Sequence, residues 1–159
     1  MIPLSRTSRT ISKQTEFATT PEILFDAFVN PVVLKRWFVT SAGVDLYPGG
    51  SWWFDFGERG GGRISGQYVY VERPNRLVWS WNEWNVDDSG NPMRNDPEGD
   101  PPWVVTVCDI SIVDYGETSG LRLLHHGYPN MPSWDDLYHG VNTGWDEHLE
   151  KLRALVEIR

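Results

Sequence analysis

Cysteine is almost absent from this chain, since Cys108 is its only one among 159 residues. A single cysteine excludes an internal disulfide and a metal site built from several thiolates, and it suits a reducing compartment. Cys108 stands in an alternating apolar run, so we interpret it as a small buried side chain rather than as a nucleophile. The fold must therefore be held by its own hydrophobic core.

Basic residues are also scarce. The chain has 14 Lys and Arg against 22 Asp and Glu, which gives a formal net charge of -8. This imbalance argues against nucleic acid and anionic membrane surfaces as partners. No apolar run approaches the roughly 20 residues of a membrane span, and residues 1–10 lack the apolar stretch of a secretory signal. We expect a cytoplasmic protein without membrane insertion.

Turn and cap signals divide the chain into a clear order of elements. A first strand at 9–17 precedes two short helices, whose starts are marked by Thr20-Pro21 and Asn30-Pro31. Further strands with one-sided alternation are predicted at 44–47, 51–58, 63–72, 76–84, 103–113 and 121–126. A long helix follows from Asp136. We interpret residues 1–159 as one domain of the α+β class, in which a curved antiparallel sheet packs on this helix.

The C-terminal helix carries an apolar stripe that is unusual around Gly144. Val141, Trp145, His148 and Leu152 recur at spacings of four, three and four residues, and Leu149 lies on the same face. Gly144 lies beside Trp145, although glycine costs about 1 kcal/mol relative to alanine inside a helix. We therefore expect something to approach this part of the helix closely.

Several short motifs in order resemble one known family over nearly the whole chain. They include Pro21 to Phe28, Leu34 to Phe38, Pro48 to Trp52, Pro74 to Trp81, and Gly144 to Leu149 followed by Leu152. The chain resembles the family related to the C-terminal domain of the heat-shock protein 90 ATPase activator, within the START/Bet v 1-like (SRPBCC) superfamily. The resemblance implies a helix-grip fold of about seven strands around an apolar cavity. Superfamily members bind lipids, sterols and polyketides, and some are cyclases or hydrolases.

Segment 85–102 departs from the family pattern. It contains four prolines and five acids against one arginine, and it shows no periodicity. We predict a long mobile acidic loop over one opening of the cavity. Deleting most of it should leave the melting temperature nearly unchanged and alter ligand binding.

Large aromatic residues dominate the strand faces that are predicted to point inward. Any one of the nine tryptophans is best explained by core packing, but together they exceed what one core of this size needs. Ligand pockets are mostly apolar and aromatic with a few polar groups. We expect the cavity lining to include Trp52, Phe54, Phe56, Tyr68, Trp79, Trp81, His125, Val141, Trp145 and His148. On strand 63–72 either Tyr68 and Tyr70 or Val69 and Val71 form the inward pair.

Histidines are the polar candidates for this cavity. His125 and His126 are neighbours on a strand, so one points inward and the other outward, and both faces carry a leucine. Three or four converging ligands are needed for a metal site, and no such spacing is present. We expect no metal and no cofactor.

Three functions are compatible with the sequence. The first is binding of a small hydrophobic, aromatic or cyclic molecule. The second is a cyclase- or hydrolase-type enzyme with His125, His148, Tyr68 or Tyr70 as general acid or base. The third, which follows from the family resemblance, is an interaction module for a heat-shock protein 90 homologue. A homodimer is compatible with all three. We rank them in this order because the unusual residues point inward.

Overall fold

A computed structural model describes residues 8–59, 61–92 and 103–157. The elements in chain order are β1 (Ser8–Phe17), α1 (Pro21–Val29), α2 (Pro31–Trp37), β2 (Ser41–Val44), β3 (Ser51–Asp55), β4 (Arg63–Glu72), β5 (Arg76–Trp84), β6 (Trp103–Asp114), β7 (Ser119–Pro129), a 3-10 turn (Pro132–Trp134) and α3 (Asp135–Val156). None of the described helices is long and apolar enough to cross a membrane.

Seven antiparallel strands form one sheet in the order β1-β7-β6-β5-β4-β3-β2. The sheet curves around α3, with α1 and α2 between β1 and β2. This is the predicted helix-grip arrangement, and the α+β class is confirmed.

The two short helices start where the sequence predicts. Thr20 Oγ1 accepts a hydrogen bond from the Ile23 amide at 3.2 Å, and Asn30 Oδ1 accepts one from the Val32 amide at 2.9 Å. A proline follows each cap, at a position where its missing N–H leaves no helical hydrogen bond unmade.

Three strands differ from their predicted ranges by two or more residues. β7 runs from Ser119 to Pro129 instead of 121–126, because it pairs with β1 as far as Ser8. β2 lies at Ser41–Val44 instead of 44–47, because the chain turns at 45–50, where the Gly50 amide donates to Tyr47 O at 2.8 Å. β3 ends at Asp55 instead of residue 58. There the Asp55 side chain accepts from the Gly57 amide at 2.8 Å, and Gly57 takes a φ of 78°, which favours glycine.

The core lies between the concave sheet face and the helices. From α3 it receives the predicted stripe, with Trp145, Leu149 and Leu152 buried and Trp145 only 2% exposed. From the sheet it receives the inward residues of alternating pairs, such as Trp52 and Phe54 on β3. Cys108 is buried, as predicted.

A bulge on β4 decides which of its residues point inward. The pairing with β5 shifts between Tyr68 and Tyr70, which face Trp79 and Val78 respectively. Tyr68 is buried, Val69 and Tyr70 are exposed, and Val71 packs against the core. Each of the two predicted inward pairs therefore supplies one inward residue, because the extra residue of a bulge reverses the alternation.

The described start of the acidic segment is an ordered turn. The Asp87 carboxylate accepts from the amides of Ser89 and Asn91, at 2.9 Å each, and Val86 bridges to Pro92. Residues 93–102 lie outside the described residues. The mobile loop over the cavity mouth therefore stays a prediction.

Candidate functional site

A pocket of about 300 Å³ lies between the N-terminal half of α3, the end of β5 and the start of β4. Its wall consists of aromatic and aliphatic side chains, three glycines and three ionisable groups. They are Phe38, Phe56, Gly61, Ile64, Trp81, Glu83, Trp84, Asp136, Leu137, Gly140, Val141, Gly144, Trp145 and His148.

Phe38 is the central ring of the wall. It stacks on Trp145 with 5.1 Å between ring centroids, and it meets Phe56 edge to face at 5.2 Å. Trp81 extends the wall from β5, at 6.2 Å from Trp145 and 6.0 Å from Phe56. Phe38 was named in the sequence analysis only as the end of a family motif, without a role in the site. It caps the C-terminal end of α2, and this position places its ring over α3.

Two glycines open the helical side of the pocket. Gly140 and Gly144 are four residues apart on α3, so they share one face, and both line the pocket. A Cβ atom placed on either of them would meet none of the described atoms outside its own helical turns within 4 Å. Among the residues that the structure describes, no group makes the close approach that was expected at Gly144. Space is left there instead.

The polar end of the pocket is the buried side chain of Glu83. β5 alternates, so Glu83 follows Trp79 and Trp81 on the inward face. Its carboxylate accepts hydrogen bonds from Trp81 Nε1 at 3.2 Å, from Tyr128 Oη at 2.9 Å and from the Trp84 amide at 3.2 Å. Sequence reasoning missed Glu83, although the same alternation that assigned Trp79 and Trp81 would have found it.

His125 lies behind the wall and holds Trp145 in place. Trp145 Nε1 donates to His125 Nδ1 at 3.1 Å, which fixes the proton on Nε2 because an indole nitrogen only donates. Nε2 lies 2.8 Å from Thr106 Oγ1, which itself donates to Trp81 O at 2.8 Å. Burial, and next the charge of His126, lower the pKa of His125 to about 3. The ring is therefore neutral at pH 7.

His148 is half-buried at the opposite edge of the wall. Its Nδ1 lies 3.2 Å from Trp37 O, so this nitrogen carries the donated proton. Burial is the main cause that lowers its pKa. Its ring meets Phe38 edge to face at 4.9 Å.

The structure divides the ten residues that were predicted to line the cavity. Five lie in the pocket wall, namely Phe56, Trp81, Val141, Trp145 and His148. The other five lie in the core outside this wall, namely Trp52, Phe54, Tyr68, Trp79 and His125.

Trp52 shows why a large inward side chain can stay away from the pocket. Its Nε1 donates to Ser80 O at 3.0 Å, and its ring crosses Gly66 on β4 to reach that oxygen. A Cβ atom on Gly66 would lie 2.0 Å from Ser80 O and 2.9 Å from the Trp52 ring. The indole is therefore locked between strands.

A second, basic cleft lies on the other side of the wall. It measures about 360 Å³ and shares Phe38, Phe56 and His148 with the first pocket. Lys35, Arg36 and Lys151 line it, and none of the three forms an ion pair within the part of the chain that the structure describes. The charged groups near the wall are thus sorted by sign, with the acids on the side of the first pocket.

No three His, Cys, Asp or Glu side chains converge as metal ligands within residues 8–59, 61–92 and 103–157. Burial is the main cause that raises the pKa of the Cys108 thiol, so it is not an activated nucleophile. Among the described residues, the titratable side chains in the pocket wall are Glu83, Asp136 and His148.

A protein-family model, described as "Activator of Hsp90 ATPase homolog 1-like protein", matches residues 18–157. The chain belongs to this family. The match spans both short helices and all of α3, and it confirms the family that the sequence motifs indicated. No curated protein matches the chain in sequence.

Solved structures share the fold of this family member at low sequence identity. Protein MLL2253 from Mesorhizobium loti is 20% identical, with a TM-score of 0.73 over 94% of this chain and 97% of that one. The Aha1 dimer from Colwellia psychrerythraea is 19% identical, with a TM-score of 0.70 over 94% and 97%. PFC0360w, an HSP90 activator from Plasmodium falciparum, is 21% identical, with a TM-score of 0.65 over 94% and 95%.

Proposed function

We propose that this chain binds a small apolar molecule, aromatic or cyclic, in the pocket between α3 and β5. The observation that carries the proposal is the open space at Gly140 and Gly144. Glycine inside a helix lowers stability by about 1 kcal/mol relative to alanine. Here two such residues face one pocket, and neither admits another part of the chain within residues 8–59, 61–92 and 103–157.

The composition of the wall supports the same function. Phe38, Phe56, Trp81 and Trp145 present flat apolar surfaces, and Glu83 supplies one buried polar group. Small-molecule sites are apolar concavities of about 300–1,000 Å³ with a few placed polar groups. The pocket reaches the lower end of this range, which favours a ligand of one or two rings.

Titration by indole fluorescence tests the proposal, with a panel of neutral aromatic and cyclic compounds. Because Trp81 and Trp145 line the pocket, a bound compound should quench or shift the emission. We expect some dissociation constants in the micromolar range, equivalent to about 8 kcal/mol. The Trp81→Phe variant should lose part of the signal change. Trp53→Phe should keep it, because Trp53 lies under Arg63, at 4.0 Å, and outside the pocket wall.

Filling the pocket provides a matched control. Gly144→Leu should abolish binding because its side chain enters the open space, while a leucine remains favourable in a helix. Thr143→Leu adds the same side chain to the neighbouring exposed position, outside the wall, and should bind normally. Equal affinity in both variants would mean that the compounds bind elsewhere, and the proposal would fail.

Family membership supports a second candidate function, as an interaction module for a heat-shock protein 90 homologue. It predicts co-purification with that protein and faster ATP hydrolysis by it. The Gly144→Leu variant separates the two candidates, because an interaction at the outer surface should remain when the pocket is filled. Light scattering of the same preparations measures the oligomeric state, since one protein of the same fold is an Aha1 dimer.

A further inference from the structure

The basic cleft gathers positive charge from two helices. Lys35 and Arg36 lie in the last turn of α2, and Lys151 lies on α3, three residues after His148. All three cations are exposed and line the cleft. No Asp or Glu is found among the described residues of its lining. The cleft is therefore a local exception in a chain whose formal net charge is -8.

Cations elsewhere in the chain are mostly matched with acids. The described ones that form ion pairs are Arg9, Lys13, Arg73, Arg76 and Arg153. Lys151 also has an acid at a suitable spacing, since Glu147 lies four residues before it, in the orientation that favours a helical pair. Both residues are described, and no ion pair joins them. Lys151 lines the cleft instead.

The dipole of α2 explains only part of this charge. Lys35 and Arg36 complement the negative C-terminal end of that helix. Lys151 lies before the last turn of α3, where Arg153 has this role. Burial is the main cause that lowers the pKa of His148, and the charge of Lys151 lowers it further. Like charges that are held together raise the free energy of the fold, and a bound anion would offset that repulsion.

The lining of the cleft indicates which anion fits it. A guanidinium group donates two parallel hydrogen bonds to phosphate or carboxylate oxygens, and an ammonium group acts as a point charge. A phosphate monoester carries nearly two negative charges at pH 7 and three acceptor oxygens, so it can meet three cations at once. A carboxylate offers less charge and fewer oxygens. Phe38 and Phe56 add apolar surface beside the cations, which suits an organic body.

We propose that the basic cleft binds the phosphate group of a small organic phosphate monoester. Arg36 and Lys151 hold the phosphate from the two helices, and Lys35 adds a third positive charge. The organic body lies against Phe38 and Phe56. This site is separate from the pocket of the proposed function and goes beyond that function, although the two cavities share one wall.

Three probes with one ring each test the proposal by calorimetry at pH 7 and low salt. They are phenyl phosphate, phenyl sulfate and anisole, which carry about two, one and no negative charges. Phenyl phosphate should bind most tightly, at least about threefold more tightly than phenyl sulfate, and should weaken when the ionic strength is raised to roughly 0.15 M. Equal affinity for phenyl phosphate and anisole would overturn the proposal.

Neutralising variants locate the phosphate. Arg36→Gln and Lys151→Gln should each weaken phenyl phosphate by at least about threefold, and both positions are exposed, so the fold should be kept. Arg122→Gln is the matched control, because Arg122 is exposed on β7 outside the cleft and forms no ion pair with the described residues. An equal loss in all three variants would show an effect of net charge, and the proposal would fail.

The ring of His148 reports binding independently of these variants. An anion in the cleft should raise the pKa of His148, measured by proton NMR, because a nearby negative charge favours the imidazolium form. An unchanged pKa would mean that the anion lies elsewhere, and it would refute the assignment. The charged or titratable groups on the two helices of the cleft and in the pocket across the wall are Lys35, Arg36, Glu147, Lys151, Glu83 and Asp136.

A lipid headgroup presents the same phosphate chemistry, and vesicles distinguish the two sources. Phosphatidylcholine vesicles with and without phosphatidic acid should retain the protein equally little. Retention by phosphatidic acid without binding of phenyl phosphate would identify a membrane surface and overturn the small-ligand proposal.

The Gly144→Leu variant keeps the two proposals apart. It should leave the affinity for phenyl phosphate unchanged, because the filled pocket lies on the other side of the wall. If phenyl phosphate loses its affinity there, it binds in the pocket, and the cleft proposal fails while the proposed binding function stands. If phenyl phosphate binds as expected and the neutral panel does not bind, the proposed function alone fails.

Discussion

Replacing Gly144 by alanine should make the protein more stable. The residue lies in the middle of α3 with a helical backbone, and within the described part of the chain an added Cβ would meet no atom outside its own helical turns within 4 Å. The substitution therefore introduces no clash and gains no packing. What remains is the difference in helix propensity, about 1 kcal/mol in favour of alanine.

The same reasoning gives a magnitude for the pair. Gly140→Ala should add a similar amount, and the double variant about 2 kcal/mol, because two small side chains four residues apart do not crowd each other. For a chain of this size, 1 kcal/mol raises the melting temperature by roughly 2–4 °C. Urea unfolding followed by circular dichroism measures the free energy, with an unchanged slope expected.

Thr143→Ala is the matched control for this experiment. Threonine is a weaker helix former than alanine, so the exposed neighbour should also stabilise α3, by about half as much. Ligand affinity should fall in the double glycine variant, where two methyl groups enter the pocket, and stay constant in Thr143→Ala. A loss of stability in either glycine variant would show that these glycines serve the backbone, and it would refute the reasoning.

Two further predictions concern the core around the pocket. Because the pKa of His125 is lowered from 6.5 to about 3, the unfolded chain binds a proton on acidification that the folded chain does not. The contribution of the neutral His125 to the free energy of unfolding should therefore be essentially complete above its unfolded pKa of 6.5. It should fall by about 2 kcal/mol between pH 7 and pH 5. In urea melts, His125→Gln should flatten this slope. Gly66→Ala should lower the free energy of unfolding by more than about 4 kcal/mol or prevent folding, because its Cβ would lie 2.0 Å from Ser80 O. The control Ser65→Ala, at the exposed neighbouring position, should change it by less than about 0.5 kcal/mol in thermal melts.

Periodicity predicted the elements that determine the fold. The stripe that ends at Leu149 and Leu152 and the alternation around Trp52 each identify a buried face from local spacing alone, and both faces are buried in the structure. The caps at Thr20 and Asn30 are equally local, because each side chain bonds an amide two or three residues further on. Such features need no knowledge of the rest of the chain.

Local spacing does not predict where in the core an inward side chain lies. Alternation places Trp52 and Trp81 on the same inward face, but it does not say which one reaches the pocket. That depends on Gly66, whose missing side chain lets the Trp52 ring cross to Ser80 O. The bulge at Tyr68 likewise depends on pairing with β5, so strand 63–72 could not be resolved from its own pattern.

Glu83 illustrates the limit most clearly. A carboxylate on an inward strand face costs free energy unless donors reach it, and one of its donors, Tyr128, lies 45 positions away in sequence. The carboxylate satisfies the buried donors of Trp81 and Tyr128, but an ionisable group is a costly choice for that task, just as Gly140 and Gly144 are costly choices in α3. All three departures from the most stable choice line the same 300 Å³ pocket. Residues that lower the stability of a fold cluster at functional sites, because selection keeps them only where they contribute to function. Their coincidence is the strongest physical support for the proposed binding function of this pocket over the alternative of an interaction at the outer surface.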